Sequence, residues 1–268
     1  KIKSFRKKIK FIKGDIRDKR SLNKAMKKTD AVIHLAYVNG TKYFYSKPVL
    51  ILDIAIKGII NVIEGCIENK IKELYLASSS EVYQTPIKIP TDEKESLKIP
   101  DIFNPRYSYG GGKIITELMG IHYGKKFFKK LIIFRPHNVY GQNMGYEHVI
   151  PQFINRFKYL KGKNFKVQGT GNEIRSFIYI KDFLNAFDAI LKRGKHLNIY
   201  NIGTSEKIKI KNLAFKLSKI FKKKITIKKT PLAKGSTEIR IPNIKKIKKL
   251  GFVPKFNLDK GLKETLGS

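Results

Sequence analysis

The chain has 268 residues, 41% hydrophobic, 29% charged and 11% aromatic, which supplies a packed interior for one large or two modest domains and excludes a disordered chain. Its single cysteine, Cys66, excludes an internal disulfide framework and a cysteine-based zinc site, and points to a reducing compartment, by default the cytoplasm. The 57 Lys and Arg against 21 Asp and Glu give a formal charge of +36, but the lysines are spread in pairs and triplets with no basic tail, so they read as solvated faces and nucleic acid is not the expected partner.

Residues 9–18 read as a short strand running into a turn at Gly14-Asp15, and the chain is expected to open in the middle of a fold. A helix over 21–28 precedes 31–36, a near-continuous apolar run of the kind that a strand covered on both faces requires. Pro48 sits near the start of a long helix, in which Val49, Leu52, Ala55, Ile56, Ile59 and Ile63 recur at helical spacing to about Glu68. Asp53 and Lys57 break its apolar stretches, which are too short to span a bilayer, so no membrane partner is expected. A second buried-type strand over 74–78 ends in Ser78-Ser-Ser-Glu81. After a loop rich in Pro and charge over 86–105, a helix runs from Tyr107 to about Tyr123 and a strand over 131–134 leads into a loop at 135–141.

Strand and helix alternate up to that point, which predicts an α/β fold with a doubly wound parallel sheet and ligands at the strands' carboxyl ends. From Gln142 the pattern is less regular. Helices are expected over 149–160, 182–191 and 210–221, and strands over 165–168, 176–180, 198–202 and 225–228. Residues 1–141 are therefore expected to form a Rossmann-like domain to which segments near 176–203 return, and 142–268 a smaller α+β substrate lobe.

Tyr109-Gly-Gly-Gly-Lys113 sets a phenol and an ammonium one helical turn apart on one face. A cation within about 4–6 Å of a phenol favours its ionised form, which would make the tyrosine a usable base. The spacing alone arises by chance in a lysine-rich chain. The three glycines add weight, because near a helix start they cost up to about 1 kcal/mol each relative to Ala and serve close approach by another body. A phosphate-binding loop is excluded, since Tyr107 and Ile114 stand where its Gly and its Ser or Thr are needed. The serines at 78–80 either satisfy backbone groups at the strand end or point a hydroxyl into the crevice. His34 reads as a core histidine, Tyr83 and Tyr140 as packing residues, and His137 and His148 flank the cleft without a carboxylate cluster, so no metal is assigned.

Gly14-Asp-Ile-Arg-Asp18, Val32-Ile-His-Leu-Ala36, Ser78-Ser-Ser-Glu-Val-Tyr83, Tyr109-x-x-x-Lys113, Arg135-Pro-His-Asn-Val-Tyr-Gly141 and Arg175-Ser-Phe-Ile-Tyr-Ile-Lys-Asp182 occur in this order. Together they resemble the extended short-chain dehydrogenase/reductases, in particular the NAD-dependent nucleotide-sugar epimerase/dehydratase family, over nearly the whole chain. The resemblance implies Ser79, Tyr109, Lys113 and Glu81 as catalytic residues, with Tyr109 as the base and Lys113 holding the nicotinamide ribose. It implies Asp15, Ile16, Ala36, Tyr109, Lys113 and Arg135 on NAD, with NADP left open, and Asn138, Arg175 and Arg240 on a nucleotide-diphosphate sugar. It also implies a homodimer paired through the helices near 48–68 and 107–123. The reaction would pass through a 4-keto sugar, as an epimerase or dehydratase or, alternatively, as a UDP-glucuronate decarboxylase-like enzyme. The rival from another class is a non-catalytic nucleotide- or RNA-binding relative.

Two departures from the family pattern stand out. Its first strand and Gly-x-x-Gly-x-x-Gly turn have no counterpart before Lys1, so the chain is expected to be a fragment that binds NAD poorly, and a micromolar affinity on titration would overturn that. Gln84 stands where the family usually has Gly, which puts the turn after Val82-Tyr83 in question.

Overall fold

The structure, a computed structural model, describes residues 8–267. The chain runs α1 (Lys19–Met26), β1 (Ala31–His34), α2 (Thr41–Ser46), α3 (Pro48–Glu68), β2 (Glu73–Ala77), a 3-10 turn (Ser80–Tyr83), α4 (Tyr107–Phe127), β3 (Lys130–Pro136) and β4 (Val139–Tyr140). It continues through α5 (Val149–Lys158), β5 (Asn164–Gln168), β6 (Ile174–Arg175), β7 (Ile178–Tyr179), α6 (Ile180–Arg193), β8 (Asn198–Ile202) and β9 (Ile208–Lys209). Last come α7 (Ile210–Ile220), β10 (Thr226–Thr230), β11 (Ile239–Arg240), α8 (Lys245–Lys248) and α9 (Leu258–Leu266).

Local chemistry sets several of these boundaries. The Asp18 side chain accepts from the backbone N–H groups of Arg20 and Ser21 and so caps α1. Pro48 opens α3, where its missing N–H costs nothing. Strands β1, β2, β3 and β8 form one parallel sheet in that order. Side chains alternate across it, as the pleat demands. Leu74 and Leu76 join Ile59, Val62 and Ile63 of α3 and Leu131 and Ile133 of β3 on one face. Tyr75 and Ala77 join Ile132 and Phe134 of β3, Ala189 and Ile190 of α6 and Ile247 of α8 on the other. Helices thus cover both faces, the doubly wound α/β arrangement.

The remaining elements build a second core in which α5, α7 and α9 pack around the parallel pair β5–β10. Two further short ladders, β11-β6-β9 and β4-β7, complete the described sheets. One expectation is corrected here. Residues 9–14 form no strand, and Phe11 is 75% exposed. Their apolar alternation suits a strand, but a strand also needs a neighbour for its backbone groups, and none of the described ladders includes them.

Candidate functional site

Because the strands are parallel, the carboxyl ends of β1, β2 and β3 share one edge of the sheet. A cavity of about 970 Å³ opens there, walled on the far side by α5, β5 and the loop around Leu232. It collects Ser79, Glu81, Tyr109, Lys113, Asn138, Arg175 and Arg240 from five separate stretches of chain. Ala36 is exposed two residues beyond β1, at the same edge.

Tyr109 and Lys113 project from the first turns of α4 and are 5% and 3% exposed. The glycines between them do admit close neighbours. A Cβ on Gly110 would come within 3.1 Å of the Glu81 carbonyl oxygen, and one on Gly112 within 2.7 Å of Ala55 Cβ in α3 and onto the Tyr37 hydroxyl. Tyr37 meets the Tyr109 ring edge-on at 5.2 Å, Phe44 stacks on it at 4.6 Å, and Lys113 Nζ lies 3.8 Å from the Tyr37 ring centroid. Lys113 Nζ donates to the Ala77 carbonyl at 2.7 Å, at the end of β2. Two residues on, the Ser79 side chain favours the ionised form of Tyr109 and accepts from the Glu81 N–H at 3.2 Å.

The expected electrostatics of the pair are corrected by this packing. Burial pushes Tyr109 up to about 12, with Glu81 adding to the rise and Ser79 and Arg240 opposing it. Burial likewise pulls Lys113 down to about 7, against the upward effect of Glu117. Desolvation penalises both charged forms, and it outweighs the help each group gets from its neighbours.

Glu81 is clamped. Arg240 grips its carboxylate with both Nη atoms, one at 3.2 Å, and Arg106 Nη2 stands 3.6 Å away. Burial alone would raise Glu81, but Arg240, Arg106 and Arg175 together hold it at about 2. Arg175 spends its donors on the carbonyls of Ile174, Thr237 and Glu238, and burial beside Arg240 pulls it down to about 10. The Nε atoms of Arg106 and Arg240 have no partner among the described residues, although the two arginines are 6% and 5% exposed. Buried donors of this kind call for an acceptor, and three guanidiniums around one carboxylate make the acceptor an anion. Asn138, at φ +41°, donates its side-chain amide to the Ser176 carbonyl at 2.8 Å and faces the same space.

Four expected cofactor residues, Asp15, Ile16, Ala36 and Arg135, do not line the cavity. Asp15 is exposed and paired with Arg17, which also reaches Asp53 of α3, and the side-chain hydrogen bond from Arg17 holds its carboxyl at about 2. Ile16 sits against Gly58 of α3 and accepts from Asn61. Arg135 is 2% exposed and pairs with Glu117 inside the fold. Conversely, the sequence reading missed Arg106 and Glu117. A lone arginine after a proline carries no local signal, whereas Glu117, one turn beyond Lys113, was available to the same spacing argument. Gln84 does take a left-handed backbone, φ +50°, and its amide donates to the Glu81 carbonyl at 2.6 Å. That strain is the price of a side chain where glycine is at ease.

The profile of the NAD dependent epimerase/dehydratase family matches residues 2–203. The chain is 33% identical over 219 residues to a dTDP-D-glucose 4,6-dehydratase of Dictyostelium discoideum, covering 79% of this chain and 50% of that protein. It is 29% identical over 270 residues to a UDP-N-acetyl-alpha-D-glucosaminuronate decarboxylase of Bacillus cytotoxicus, covering 96% and 82%. The crystal structure of a UDP-glucose 4-epimerase from Thermotoga maritima with UDP-glucose superposes with a TM-score of 0.89 at 24% identity, covering 100% of this chain and 86% of that one, a likeness of fold. The chain thus spans about half the length of the Dictyostelium relative, and 39% of a trifunctional UDP-glucose 4,6-dehydratase of Arabidopsis thaliana that is 28% identical. Among the described residues, no helix is long and apolar enough to cross a membrane and no three His, Cys, Asp or Glu gather as a metal site.

Proposed function

The chain belongs to the NAD-dependent epimerase/dehydratase family, and from that premise we propose that it oxidises the sugar of a nucleotide sugar to a 4-keto intermediate, with Tyr109 as the base. The observation that carries this reading is the convergence of Ser79, Tyr109 and Lys113 on one cavity wall, facing the arginines that an anionic substrate needs. Ser79 orients the sugar hydroxyl, and Tyr109 takes its proton as the carbon is oxidised.

NAD, when bound, supplies the hydride acceptor for that carbon, and NADP stays open. The residues present fit it. Lys113 spends one donor on Ala77 and keeps two for ribose hydroxyls, and Ala36 offers a small side chain at the neighbouring strand end. Asn138, Arg175 and Arg240 take the nucleotide diphosphate: all three line the cavity, and Arg240 has an unpartnered Nε for a phosphate oxygen. In the same reading residues 1–141 with the returning segment form the cofactor domain and 142–268 mainly the substrate lobe.

A second reading, a decarboxylase acting on a nucleotide-linked sugar acid, is favoured by the orphaned donors of Arg106 and Arg240 flanking Glu81, beside Ser79. The exposed apolar residues Val49 (78%) on α3 and Leu118 (55%) on α4 favour pairing of two copies through these helices.

The direct test incubates the protein with NAD and a panel of UDP- and dTDP-sugars, watching for a 4-keto product and for released carbon dioxide. Tyr109→Phe should cost about 10² to 10⁴ in turnover and leave nucleotide-sugar binding unchanged. Turnover at the wild-type rate in that variant would end the assignment.

A further inference from the structure

Glu117 lies on α4 one turn beyond Lys113, is 4% exposed and does not line the cavity. A carboxylate persists in such surroundings only when its charge is matched and its lone pairs are filled. Both conditions are met. Ser78 Oγ donates to Oε1, and Arg135 donates to the same oxygen through Nε at 2.8 Å and to Oε2 through Nη2 at 2.5 Å. Arg135 also donates through Nη1 to the Tyr83 hydroxyl at 2.7 Å, which in turn donates to Asn201 Oδ1 at 2.9 Å. The ion pair is therefore enclosed in a polar layer beneath the site.

Replacing a buried ion pair by apolar side chains of similar volume is often neutral or stabilising, so stability alone is a weak account of this one. Its placement offers a better account. Ala77 and Ser78 are consecutive at the end of β2, while Lys113 and Glu117 are one turn apart on α4. Lys113 ties to Ala77 and Glu117 ties to Ser78, two rungs that fix both the distance and the rotation of the strand end against the helix. A single rung would leave the rotation free. Ser78 N–H is held in addition by the Phe134 carbonyl at 2.8 Å, and the next residue along is Ser79.

Resting on the roles assigned above to Ser79, Tyr109 and Lys113, we propose that Glu117 is a positioning residue for their reaction. With Arg135 as its counter-ion, it locks the 77–79 strand end onto α4 and keeps a negative charge one turn from Lys113. The groups around Lys113 are Tyr109 and Glu117 on α4, Tyr37 after β1 and His34 on β1. Among these Glu117 is the carboxylate, so it is the group that favours the ammonium against burial.

Glu117→Gln keeps the shape and removes the charge. In the full chain labelled with ¹³C-lysine, the Lys113 resonance, identified by its loss in Lys113→Arg, should titrate at least half a pH unit lower in Glu117→Gln than in the wild type. With an accepted nucleotide sugar, kcat should fall at least tenfold while KM stays within threefold. Glu117→Asp should recover the Lys113 midpoint in part and kcat less, because the shorter side chain keeps the charge but strains the rungs. A variant that melts earlier but keeps both the midpoint and kcat would show a purely structural role and overturn the proposal.

If Glu117→Gln does not fold, Ser78→Ala cuts one rung and leaves the ion pair. It should lower hydrogen-exchange protection of the residue-78 amide, which donates to the Phe134 carbonyl, with the melting temperature nearly unchanged, and unchanged protection would also overturn the proposal. If the wild type turns over no nucleotide sugar, the functional reading falls, while the Lys113 midpoint and the residue-78 amide protection still decide the role of Glu117.

Discussion

Glu81→Gln probes the charge cluster in the cavity through pH. Burial raises the wild-type carboxyl, but Arg240, Arg106 and Arg175 bring it from 4.5 down to about 2. Two and a half pH units at about 1.4 kcal/mol each amount to about 3 kcal/mol of folding stability. The sign follows from proton binding. The folded state holds this proton less tightly than the unfolded state, so the stabilisation is complete above about pH 5 and is lost as the pH falls through 2. Urea unfolding of both proteins at pH 7, 5, 4 and 3 reads the effect. Acid also weakens the fold through the formal charge of +36 and through carboxylates such as Asp15 and Glu264, but both proteins share those losses. The wild-type advantage should therefore be largest at pH 7, about 3 kcal/mol or more because the variant leaves buried arginines short of a counter-ion, and should shrink steadily below pH 5. A gap of constant size from pH 7 to pH 3 would mean that Glu81 is not held as a carboxylate by these arginines.

Arg106→Met removes one orphaned donor and one charge beside Glu81. It should weaken binding of UDP-glucuronate at least tenfold and of UDP-glucose less than threefold, measured by calorimetry, if the anion is on the sugar. Equal losses for both would place the anion in the diphosphate. Pairing of copies through α3 and α4 predicts that sedimentation velocity shows a dimer that Val49→Glu/Leu118→Glu converts to monomer, and a wild-type monomer at every concentration would reject the interface.

The parts of the fold legible in the sequence are those whose stabilisation is periodic. The helix beginning at Pro48 shows its buried stripe in Ala55, Ile59 and Ile63, and the inner strands, buried on both faces, show as unbroken apolar runs. Two-residue ladders such as β6 and β11 are too short to have a period and exist only because a distant segment lies alongside, so no local pattern announces them. α2 is also short, six residues with Phe44 buried against Tyr109, and its position over the site is a tertiary fact.

The same division runs through the site. Tyr109 and Lys113 are linked by helical spacing and Ser79 by its place after a strand, so all three could be read from local order. Arg106, Arg240 and Glu81 come from three distant stretches, and their clamp appears only once the chain is folded. Burial itself is the feature that reverses the sequence-based electrostatics. Spacing put a cation one turn from a phenol, but spacing says nothing of Tyr37 and Phe44 packing over them. Those rings exclude water from both groups, and excluded water penalises each charge: Tyr109 rises and Lys113 falls to about 7, so neither charge is secured by the spacing alone. A charge that persists near this pair has to be held by a counter-charge already built into the fold. Glu117 is the residue on α4 that supplies one, and its own charge is kept by Arg135.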